Sequence, residues 1–534
     1  MQQKISLKLL PSEAADEAVI KKILASEIGK KENEIKGFQI VKRSIDARGK
    51  TVWINITVNA FINEPFIKRK IQHFNFIDVS GAAKKVVIIG AGPAGLFAAL
   101  KLIQQGIKPI ILERGKDVRA RRRDLAILNK EGIINTESNY CFGEGGAGTY
   151  SDGKLYTRSN KRGDVDRILN LFVYFGAEEN ILYDAHPHIG TNKLPQIITA
   201  MRKKIVECGG EFLFEQKVID FIISGEKIKA VKTKDNLFEG EAYILATGHS
   251  ARDIFTLLYS KNILIQAKPF AMGVRIEHPQ SLIDTIQYGS LQIPQLRDLR
   301  SSFLPPASYA LVDQVNGKGV FSFCMCPGGI IAPASTNDGE LVVNGWSPSK
   351  RNNPFANSGI VVQVELEDAI KAMGNKQKTT DKDSPLLLME FQKLIEQKAY
   401  AAGGGNFVAP AQRMIDFIEN KISPSLPDCS YLPGIHSSEI KNILPDFITH
   451  RLKTAFKSFG GKMHGYLTNE AVIVAAESRT SSPVKIPREK ETFSHPQIKN
   501  LYPCGEGAGY AGGIVSAAMD GEKIANALAG IFRL

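Results

Sequence analysis

The chain has 534 residues, of which 43% are hydrophobic and 23% are charged, so disorder is excluded as its main state. This length predicts two to three domains. The net charge of +13 fits either an anionic partner, such as a nucleotide or nucleic acid, or a lysine-rich surface facing solvent. Because lysines are spread along the chain, we favour the solvent-facing surface.

Cysteine use and hydropathy place the protein in a reducing compartment away from membranes. The six cysteines are too sparse in a chain of this length to form a disulfide framework. The N-terminal sequence MQQKISLKLL lacks the apolar core of a signal peptide. The most apolar stretch, residues 86–103, contains three glycines and a proline in a turn pattern, which argues against a membrane span. We therefore expect a cytoplasmic protein without a membrane partner.

Residues 1–80 are predicted to form a small α+β domain of their own. Alternating hydrophobicity predicts a strand in KISLKLL, and helical spacing follows over residues 11–28. Two further strands, IKGFQIVKRSID and TVWINITVNAFI, flank the turn ARGK. The expected order is β-α-β-β. Its purpose is not evident from the sequence.

The next segment carries a complete dinucleotide-binding unit. Gly90, Gly92 and Gly95 have the spacing G-x-G-x-x-G, with a strand predicted over residues 86–89 and a helix over residues 93–105. A second strand, residues 110–112, ends at Glu113. Glycines in such a turn bring backbone N–H groups and a helix N-terminus close to a pyrophosphate, and the acidic residue accepts hydrogen bonds from ribose hydroxyls.

Two other stretches repeat the spacing without the same context. The motif at Gly143, Gly145 and Gly148 has no strand before it and no helix after it, so it predicts a loop that is either a flexible surface loop or one that closes over a flat ligand. The motif at Gly507, Gly509 and Gly512 has both elements, but only 22 residues follow Gly512. Since no second strand fits there, we expect one dinucleotide, served by all three glycine loops.

Several motifs together resemble the glutathione-reductase-type FAD superfamily. They are the unit at Gly90, the strand YILATG after a run of short strands, and a C-terminal strand–glycine–helix. A narrower resemblance, to a bacterial family of uncharacterised FAD-dependent dehydrogenases, rests on RSIDAR, GGAGTYSDGKL, ATGHSARD, FAMGVRIEHPQ, FCMCPGG, ESRTSSPVKI and YPCGEGAGYAGGI. This resemblance covers nearly the whole chain.

The resemblance implies an α/β fold with a glutathione-reductase-type, Rossmann-like FAD domain. The FAD domain is expected in two parts, residues 84–265 and 441–534. A mostly-β substrate domain, residues 266–440, is expected to be inserted between them, and the small α+β domain precedes them.

The resemblance also implies a set of FAD contacts along the cofactor. Those for the adenosine and pyrophosphate are Gly90, Gly92, Ala94, Gly95, Glu113, Arg114 and Val218. Those for the remainder are Gly145, Gly146, Gly148, Thr247, Gly248, Gly505, Glu506, Gly512, Gly513 and Ile514. Glu506 stands where relatives usually place an aspartate, so its direct contact is left open.

Six polar residues lie in loops that the superfamily fold would gather near the flavin. They are the substrate candidates His249, Arg252, Arg275, His278, Glu477 and Arg479. Arginines at such a place suit a carboxylate substrate. The alternative, that these residues form salt bridges between loops, stays equally open.

Two shorter motifs have structural interpretations that we favour. Cys324 and Cys326 would place both thiols on one face of a strand, as a redox pair or half a metal site, but buried structural cysteines are the preferred interpretation, and no metal is predicted. The basic run RARRRD at Arg119–Asp124 suits cofactor phosphates or RNA, and a solvated helix face is its default interpretation.

The combined prediction is an FAD-dependent oxidoreductase. It would transfer a hydride or two electrons between FAD and an unknown organic substrate, with NAD(P)H as a candidate transient electron donor. The alternative is an RNA-associated flavoprotein, suggested by the basic charge and the N-terminal unit. The sequence contains no aromatic–basic RNA-binding motif to support that alternative.

Overall fold

The computed structural model describes residues 1–157, 163–289, 303–374 and 383–533. Its N-terminal unit is a three-stranded antiparallel sheet in the order β1-β3-β2, covered by two helices. The elements are β1 (Gln2–Leu9), α1 (Pro11–Ala14), α2 (Glu17–Glu27), β2 (Ile35–Asp46) and β3 (Trp53–Ile62). The single helix expected over residues 11–28 is divided because Asp16 caps α2, accepting hydrogen bonds from Ala18 N and Val19 N.

A five-stranded parallel sheet forms the centre of the second unit. Its order is β22-β10-β4-β5-β6, so the last strand of the chain lies beside strands formed much earlier. Its first elements are β4 (Lys85–Ile89), α3 (Pro93–Gln104), β5 (Lys108–Leu112), α4 (Val118–Glu131), α5 (Val165–Tyr174), α6 (Leu194–Glu207) and β6 (Glu211–Leu213). A small antiparallel sheet and a return strand follow: β7 (Asp220–Ser224), β8 (Lys227–Lys232), β9 (Leu237–Glu239), β10 (Ala242–Leu245) and α7 (Arg252–Ser260).

The third unit is built on a seven-stranded sheet in the order β13-β14-β17-β12-β20-β18-β19. Its first half contains β11 (Gln266–Ala267), β12 (Phe270–Pro279), α8 (Gln280–Tyr288), β13 (Val312–Val315), β14 (Lys318–Cys326), β15 (Ile330–Pro333), β16 (Val343–Trp346) and β17 (Phe355–Val364). Its second half contains α9 (Leu366–Met373), α10 (Leu387–Ala402), β18 (Ala409–Arg413), α11 (Met414–Glu419), β19 (Ile435–Ser437), α12 (Asp446–Lys462) and β20 (Val472–Glu477). We call this unit the sheet domain.

The chain then returns to the parallel sheet. It does so through β21 (Val484–Lys485), β22 (Leu501–Pro503) and α13 (Ile514–Arg533). Helix α13 packs directly on α3, and a Cβ atom on Gly521 would lie only 2.1 Å from Ala94 O. Close packing of these two helices brings the third glycine motif next to the first.

Two expected domain boundaries need correction. Strand β20 lies between β12 and β18, and α12 packs in the core of the same sheet, so the sheet domain continues to about residue 480 instead of ending at residue 440. Phe74 and Val79 belong to the core around the parallel sheet, and Val79 N donates to Cys208 O at 2.8 Å. The N-terminal unit therefore ends near Ile62, before the expected limit at residue 80.

Among the helices of the described residues, none is both long and apolar enough to cross a bilayer.

Candidate cofactor and substrate site

One large cavity, of about 760 Å³, lies between the parallel sheet and the sheet domain. All three glycine loops contribute to its wall, together with residues that follow β5 and β10. Strands and loops of the sheet domain form the opposite wall, including residues 308–310 and 322–325. Its size is within the usual range for a site that encloses a cofactor and a small substrate.

The three glycines of the first motif have three different environments. Gly90 has φ +107 and its backbone is packed against Ala246 O, which requires a residue without a side chain. Gly95 is packed against Gly90 O, as close approach of helix to strand demands. Gly92 lines the cavity at the start of α3, and the nearest atom to a Cβ placed there is Gly146 Cα at 4.0 Å. Gly92 is thus open toward the cavity.

The second motif is a loop held against the first. Gly145 N donates to Ala91 O at 2.9 Å, and a Cβ atom on Gly146 would lie 3.1 Å from Gly92 Cα. Gly148 fills the space between the side chains of Pro93 and Ile514. Therefore this loop connects the first motif to the start of α13.

A residue of the basic run positions the second motif. Arg121, on α4, is buried and donates hydrogen bonds to the carbonyl oxygens of Asn139, Tyr140 and Glu144, at 2.8–2.9 Å. The other arginines of the run, Arg119, Arg122 and Arg123, are exposed. The default interpretation of a solvated helix face holds for those three, whereas Arg121 supports the loop that faces the cavity.

The third motif differs from a pyrophosphate-binding turn. Gly507 is closed off by the backbone of Gly248, since a Cβ atom there would lie 2.4 Å from Gly248 O. Gly509 faces the side chain of Lys268. Only Gly512 and Gly513, next to the N-terminus of α13, have open space around them. This motif offers a helix start to the cavity, and its first glycine serves packing.

Glu113 ties two of the loops together at one end of the cavity. Its carboxylate accepts hydrogen bonds from Ala91 N, Gly115 N and Gly143 N, each at 2.9 Å. Oε2 receives only the bond from Ala91, so a lone pair is left for a ligand hydroxyl. Arg114 stacks on Phe142, with 4.0 Å from the guanidinium carbon to the ring centroid.

The remaining residues expected near the cofactor fall into two sets. Those on the cavity wall are Ala94, Glu113, Arg114, Val218, Thr247, Gly248, Glu506 and Ile514. Gly95, Gly145 and Gly505 lie behind the wall. Gly505 packs against Ala94 and its N–H donates to Asp520 at 2.8 Å.

These features fit the FAD that the resemblance implies. Gly92 leaves room for a pyrophosphate at the N-terminus of α3, where partial positive charge favours an anion. Glu113 retains acceptor capacity for a ribose, and the cavity continues from there to the second helix start at Ile514. The fit therefore extends over both ends of a long dinucleotide.

Two of the substrate candidates belong to a buried cluster of four charges. Arg479 donates to both Glu396 and Glu340, and Arg252 donates to the same two carboxylates, at 2.8–3.4 Å. Burial raises the pKa of Glu396, and the two arginines lower it by more, to about 2. The four charges cancel, so these arginines form internal salt bridges, as the alternative interpretation expected, although Arg252 and Glu396 lie on α7 and α10 and not in loops.

Of the six candidates, only His249 and Arg479 line the cavity, and Arg252, Arg275, His278 and Glu477 do not, which corrects the expectation that all six gather there. Arg275 on β12 is fully buried and pairs with Glu477 at 2.8 Å. Its other N–H groups donate to Asn357, Asn344 and the carbonyl of Cys324. Arg275 thus braces the cavity wall from behind. His278 is buried in the same sheet, where its Nε2 lies 2.9 Å from Tyr466 O.

His249 is the candidate that faces the cavity with no arginine or second carboxylate attached. Its Nδ1 lies 3.6 Å from Glu506 Oε1, and both side chains line the wall. The pair comes from two loops, one following β10 and one following β22, which are adjacent strands. Sequence reasoning named both residues but did not pair them.

The expectation that both thiols of the C-x-C motif share one face of a strand is wrong, and the preferred interpretation as buried cysteines holds for Cys326 alone. Strand β14 is bulged between Phe323 and Cys326, and Cys324 has φ +44, so the two thiols do not share a face. Cys324 is exposed to the cavity, whereas Cys326 is buried, and burial raises the pKa of the Cys326 thiol to about 12. No group of metal-ligating residues occurs in the described part of the chain.

Sequence reasoning missed the polar residues on the sheet-domain side of the cavity. They are Asp152, Lys154, Tyr309, Asn344 and Arg351. Asp152 and Lys154 belong to SDGKL, which was quoted only as part of the glycine loop. Tyr309, Asn344 and Arg351 come from loops and strands that are far apart in sequence, so no local sequence pattern predicts that they share a site.

Comparisons with known proteins cover the chain almost completely. Residues 84–257 match the pyridine nucleotide-disulphide oxidoreductase family, and residues 269–480 match the family described as FAD-dependent protein, C-terminal domain-like. Residues 1–61 match a domain of unknown function. An uncharacterised protein of Clostridium beijerinckii is 38% identical over 525 residues, 95% of each chain.

Fold and cavity define the class of FAD-binding oxidoreductases with a Rossmann-like domain and a β-rich domain. Within that class, the chain belongs to the family of uncharacterised FAD-dependent oxidoreductases. FAD is accordingly its cofactor.

The solved structures that are similar to the chain share little of its sequence. The tetracycline destructase Tet(51) is 12% identical, with a TM-score of 0.34, over 84% of this chain and 82% of that one. The flavin-dependent brominase Bmp2 is 14% identical, with a TM-score of 0.36, over 84% and 79%. Glycine oxidase from Bacillus cereus is 13% identical, with a TM-score of 0.29, over 84% and 95%.

Proposed function

We propose that the protein catalyses transfer of a hydride or two electrons between FAD and a small organic substrate held in the same cavity. The observation that carries this proposal is the two-sided wall: glycine loops on one side, and the polar sheet-domain residues on the other. A substrate bound between them would lie against the cofactor and away from bulk water, as redox catalysis requires.

The chain's own residues supply binding and electrostatics around the cofactor. Gly92 and the start of α3 would hold the pyrophosphate, and Glu113 the adenosine ribose. FAD itself supplies the capacity to take up two electrons. The start of α13, beside the open Gly512 and Gly513, offers partial positive charge toward the developing negative charge of the reduced cofactor.

His249 and Glu506 are our candidates for holding a proton near the reacting atoms. Their side chains face each other at 3.6 Å on the cavity wall. Because Nδ1 faces the carboxylate of Glu506, the other ring nitrogen, Nε2, would be the atom that exchanges a proton with the substrate, and Glu506 would hold the ring in position.

NAD(P)H is proposed only as a transient electron donor. In the described residues, one parallel sheet carries the dinucleotide motif, and the third glycine motif has its first glycine closed by Gly248. A nicotinamide would therefore have to approach from the open side of the cavity. Rapid mixing of the oxidised protein with NADPH and NADH, followed at the flavin absorbance, measures this directly.

Anaerobic photoreduction followed by a compound screen tests the proposal. The purified yellow protein is reduced by light under argon, and candidate oxidised compounds are added one at a time. Reoxidation of the flavin by a compound, with stoichiometric formation of its reduced product, is the expected result. A flavin that no compound reoxidises, in a protein that releases and rebinds FAD normally, would indicate a flavoprotein without turnover.

A further inference from the structure

The sheet-domain end of the cavity contains an excess of positive charge. Lys154 and Arg351 both lie beside Asp152, with Nζ 3.5 Å and Nη2 3.4 Å from Asp152 Oδ2, and all three side chains line the cavity. His188 lies nearby but adds no charge at neutral pH, because burial lowers its pKa to about 4. Two cations therefore share one carboxylate.

These two cations retain hydrogen-bonding capacity. The Nε of Arg351 is buried without a hydrogen-bond partner. Lys154 donates to Met325 O, and its contact with Asp152 is longer than an ordinary charged hydrogen bond. An ammonium group has three donors and a guanidinium five, so Lys154 and the terminal nitrogens of Arg351 have N–H groups available to a ligand.

Arg351 makes fewer hydrogen bonds than the buried arginines of the sheet domain. Arg275 and Arg479 each make at least four hydrogen bonds at 2.7–3.4 Å, and both are matched by carboxylates. The folded protein fully uses those side chains. Among the described residues, the side chain of Arg351 makes one hydrogen bond, at 3.4 Å, although it faces the same cavity.

The backbone fixes Arg351 in place. Its φ is +49, a left-handed conformation that is uncommon for a residue with a side chain. Gly328 packs so closely that a Cβ atom there would lie 1.7 Å from Arg351 O, and Arg351 N donates to Pro348 O at 3.0 Å. The loop is thus held in a strained but fixed conformation that keeps the guanidinium at the cavity.

Apolar side chains line the same cavity alongside the polar ones. They include Phe323, Met325, Pro327, Pro187 and Tyr156. A ligand that suits both features has one negatively charged group and an apolar body. Gly148, which contacts Ile514, is followed closely in the chain by Asp152 and Lys154. A ligand bound to the two cations would therefore extend toward the start of α13.

We propose that Lys154 and Arg351 bind the carboxylate of the substrate, and that the substrate class is organic carboxylates with an apolar body. This inference rests on the proposed function, since it names the substrate class of that same cavity. Asp152 would hold the two cations in position and tune the net charge of the subsite.

Benzoate and benzamide are the probes that test the subsite. They have nearly the same shape, and only benzoate carries a negative charge. Titration of the FAD-loaded protein with each, followed by calorimetry and by the visible spectrum of the flavin, is expected to show benzoate binding at least about tenfold more tightly, as a charge-assisted contact gives.

Variants assign the effect to the two cations. Lys154→Met and Arg351→Met are each expected to weaken benzoate binding by about 10- to 100-fold and to leave benzamide binding unchanged. Asp152→Asn is expected to strengthen benzoate binding, because it removes the competing carboxylate. Lys204→Met removes a positive charge from a partly exposed position on α6, away from the cavity, and should leave the affinity for both probes unchanged.

The outcomes separate this inference from the proposed function. Equal affinity for both probes, or benzoate affinity that is unchanged in both Lys154→Met and Arg351→Met, overturns the carboxylate subsite even if the flavin is reduced and reoxidised normally. A variant that fails to retain FAD is replaced by Lys154→Arg, which keeps the charge and should keep the preference for benzoate. A failed compound screen with intact benzoate discrimination would contradict the proposed function alone.

Discussion

The two walls of the cavity are built by different means. On the glycine-loop side, function depends on backbone groups: N–H donors at helix starts and glycines that leave space, such as Gly92. On the sheet-domain side, it depends on side chains such as Lys154 and Arg351 that come together from distant segments. A site made of backbone groups can be predicted from a short local motif. A site made of side chains from distant segments can be identified only in the folded structure.

The largest expected effect is a loss of FAD affinity caused by a substitution on the glycine-loop side of the cavity. Gly92→Asp would place a carboxylate where the pyrophosphate is expected, and like charges in contact cost several kcal/mol, so FAD affinity should fall by at least about 100-fold. The fold should survive, because Gly92 is the N-cap of α3, a position that aspartate favours, and no atom lies within 3.4 Å of its added Cβ. FAD content after gel filtration and circular dichroism measure the two effects.

Gly81→Asp is the matched control. Gly81 also has open space around its Cβ position and is exposed, but it does not line the cavity. That variant should keep its FAD. If Gly92→Asp remained fully loaded, the assignment of the pyrophosphate to the first motif would be wrong.

The next effect concerns the buried cluster of four charges, Arg252, Arg479, Glu340 and Glu396. Arg479→Met leaves Glu396 and Glu340 with only Arg252, so the free energy of unfolding should fall by about 3–5 kcal/mol. Lys204→Met, which removes the surface pair with Glu207, should change it by less than about 1 kcal/mol. Urea denaturation compares the two. Equal effects would show that the cluster is not the balanced, buried unit described above.

The stability of the sheet domain is expected to depend on pH through Glu277, which lies on β12. Burial raises the pKa of Glu277 from 4.5 to about 7, although Ser430 donates to its carboxylate and Arg275 and Cys429 lie nearby. The folded state then binds the proton more tightly than the unfolded state. Its stabilising contribution is complete below pH 4.5 and is lost as the pH rises to about 7.

Glu277→Gln keeps the acceptor for Ser430 N but cannot ionise. Urea denaturation at pH 5 and pH 8 should show a smaller loss of stability with rising pH for this variant than for the natural protein. The same loss in both proteins would mean that Glu277 remains ionised throughout.

The smallest effect is expected at the N-terminal unit. It contacts the FAD-binding domain through the ion pair of Arg43 with Asp184 at 2.7 Å and through a short backbone bridge. None of residues 1–62 lines the cavity. Deletion of residues 1–62 should therefore leave FAD bound, and FAD content reports this. Loss of FAD in a folded truncation would show that the unit supports the site indirectly.

Sequence reasoning succeeded where a motif and its context are contiguous. The strand, turn and helix around Gly90, the N-terminal β-α-β-β order and the C-terminal return to the sheet could all be predicted from periodicity and glycine spacing. It was less successful with α12 and β20: they lie near the C-terminal FAD segment in sequence, but tertiary pairing with β12 places them in the sheet domain.

The substrate side shows the same limit at single residues. Arg275, His278 and Glu477 are polar residues in strands, and the sequence does not tell whether their partners are a ligand or each other. The bulge at Cys324 depends on pairing with β17, which is more than 30 residues away. Lys154 is close to a recognised motif, yet its partner Arg351 is about 200 residues distant.

A crystal structure of the FAD-loaded protein soaked with NADPH tests most directly whether three glycine loops serve one dinucleotide. We predict a single FAD across the cavity, with its pyrophosphate beside Gly92 and its other end at Gly512 and Gly513. Adenosine-diphosphate density from NADPH on residues 507–513, with FAD elsewhere, would contradict the account.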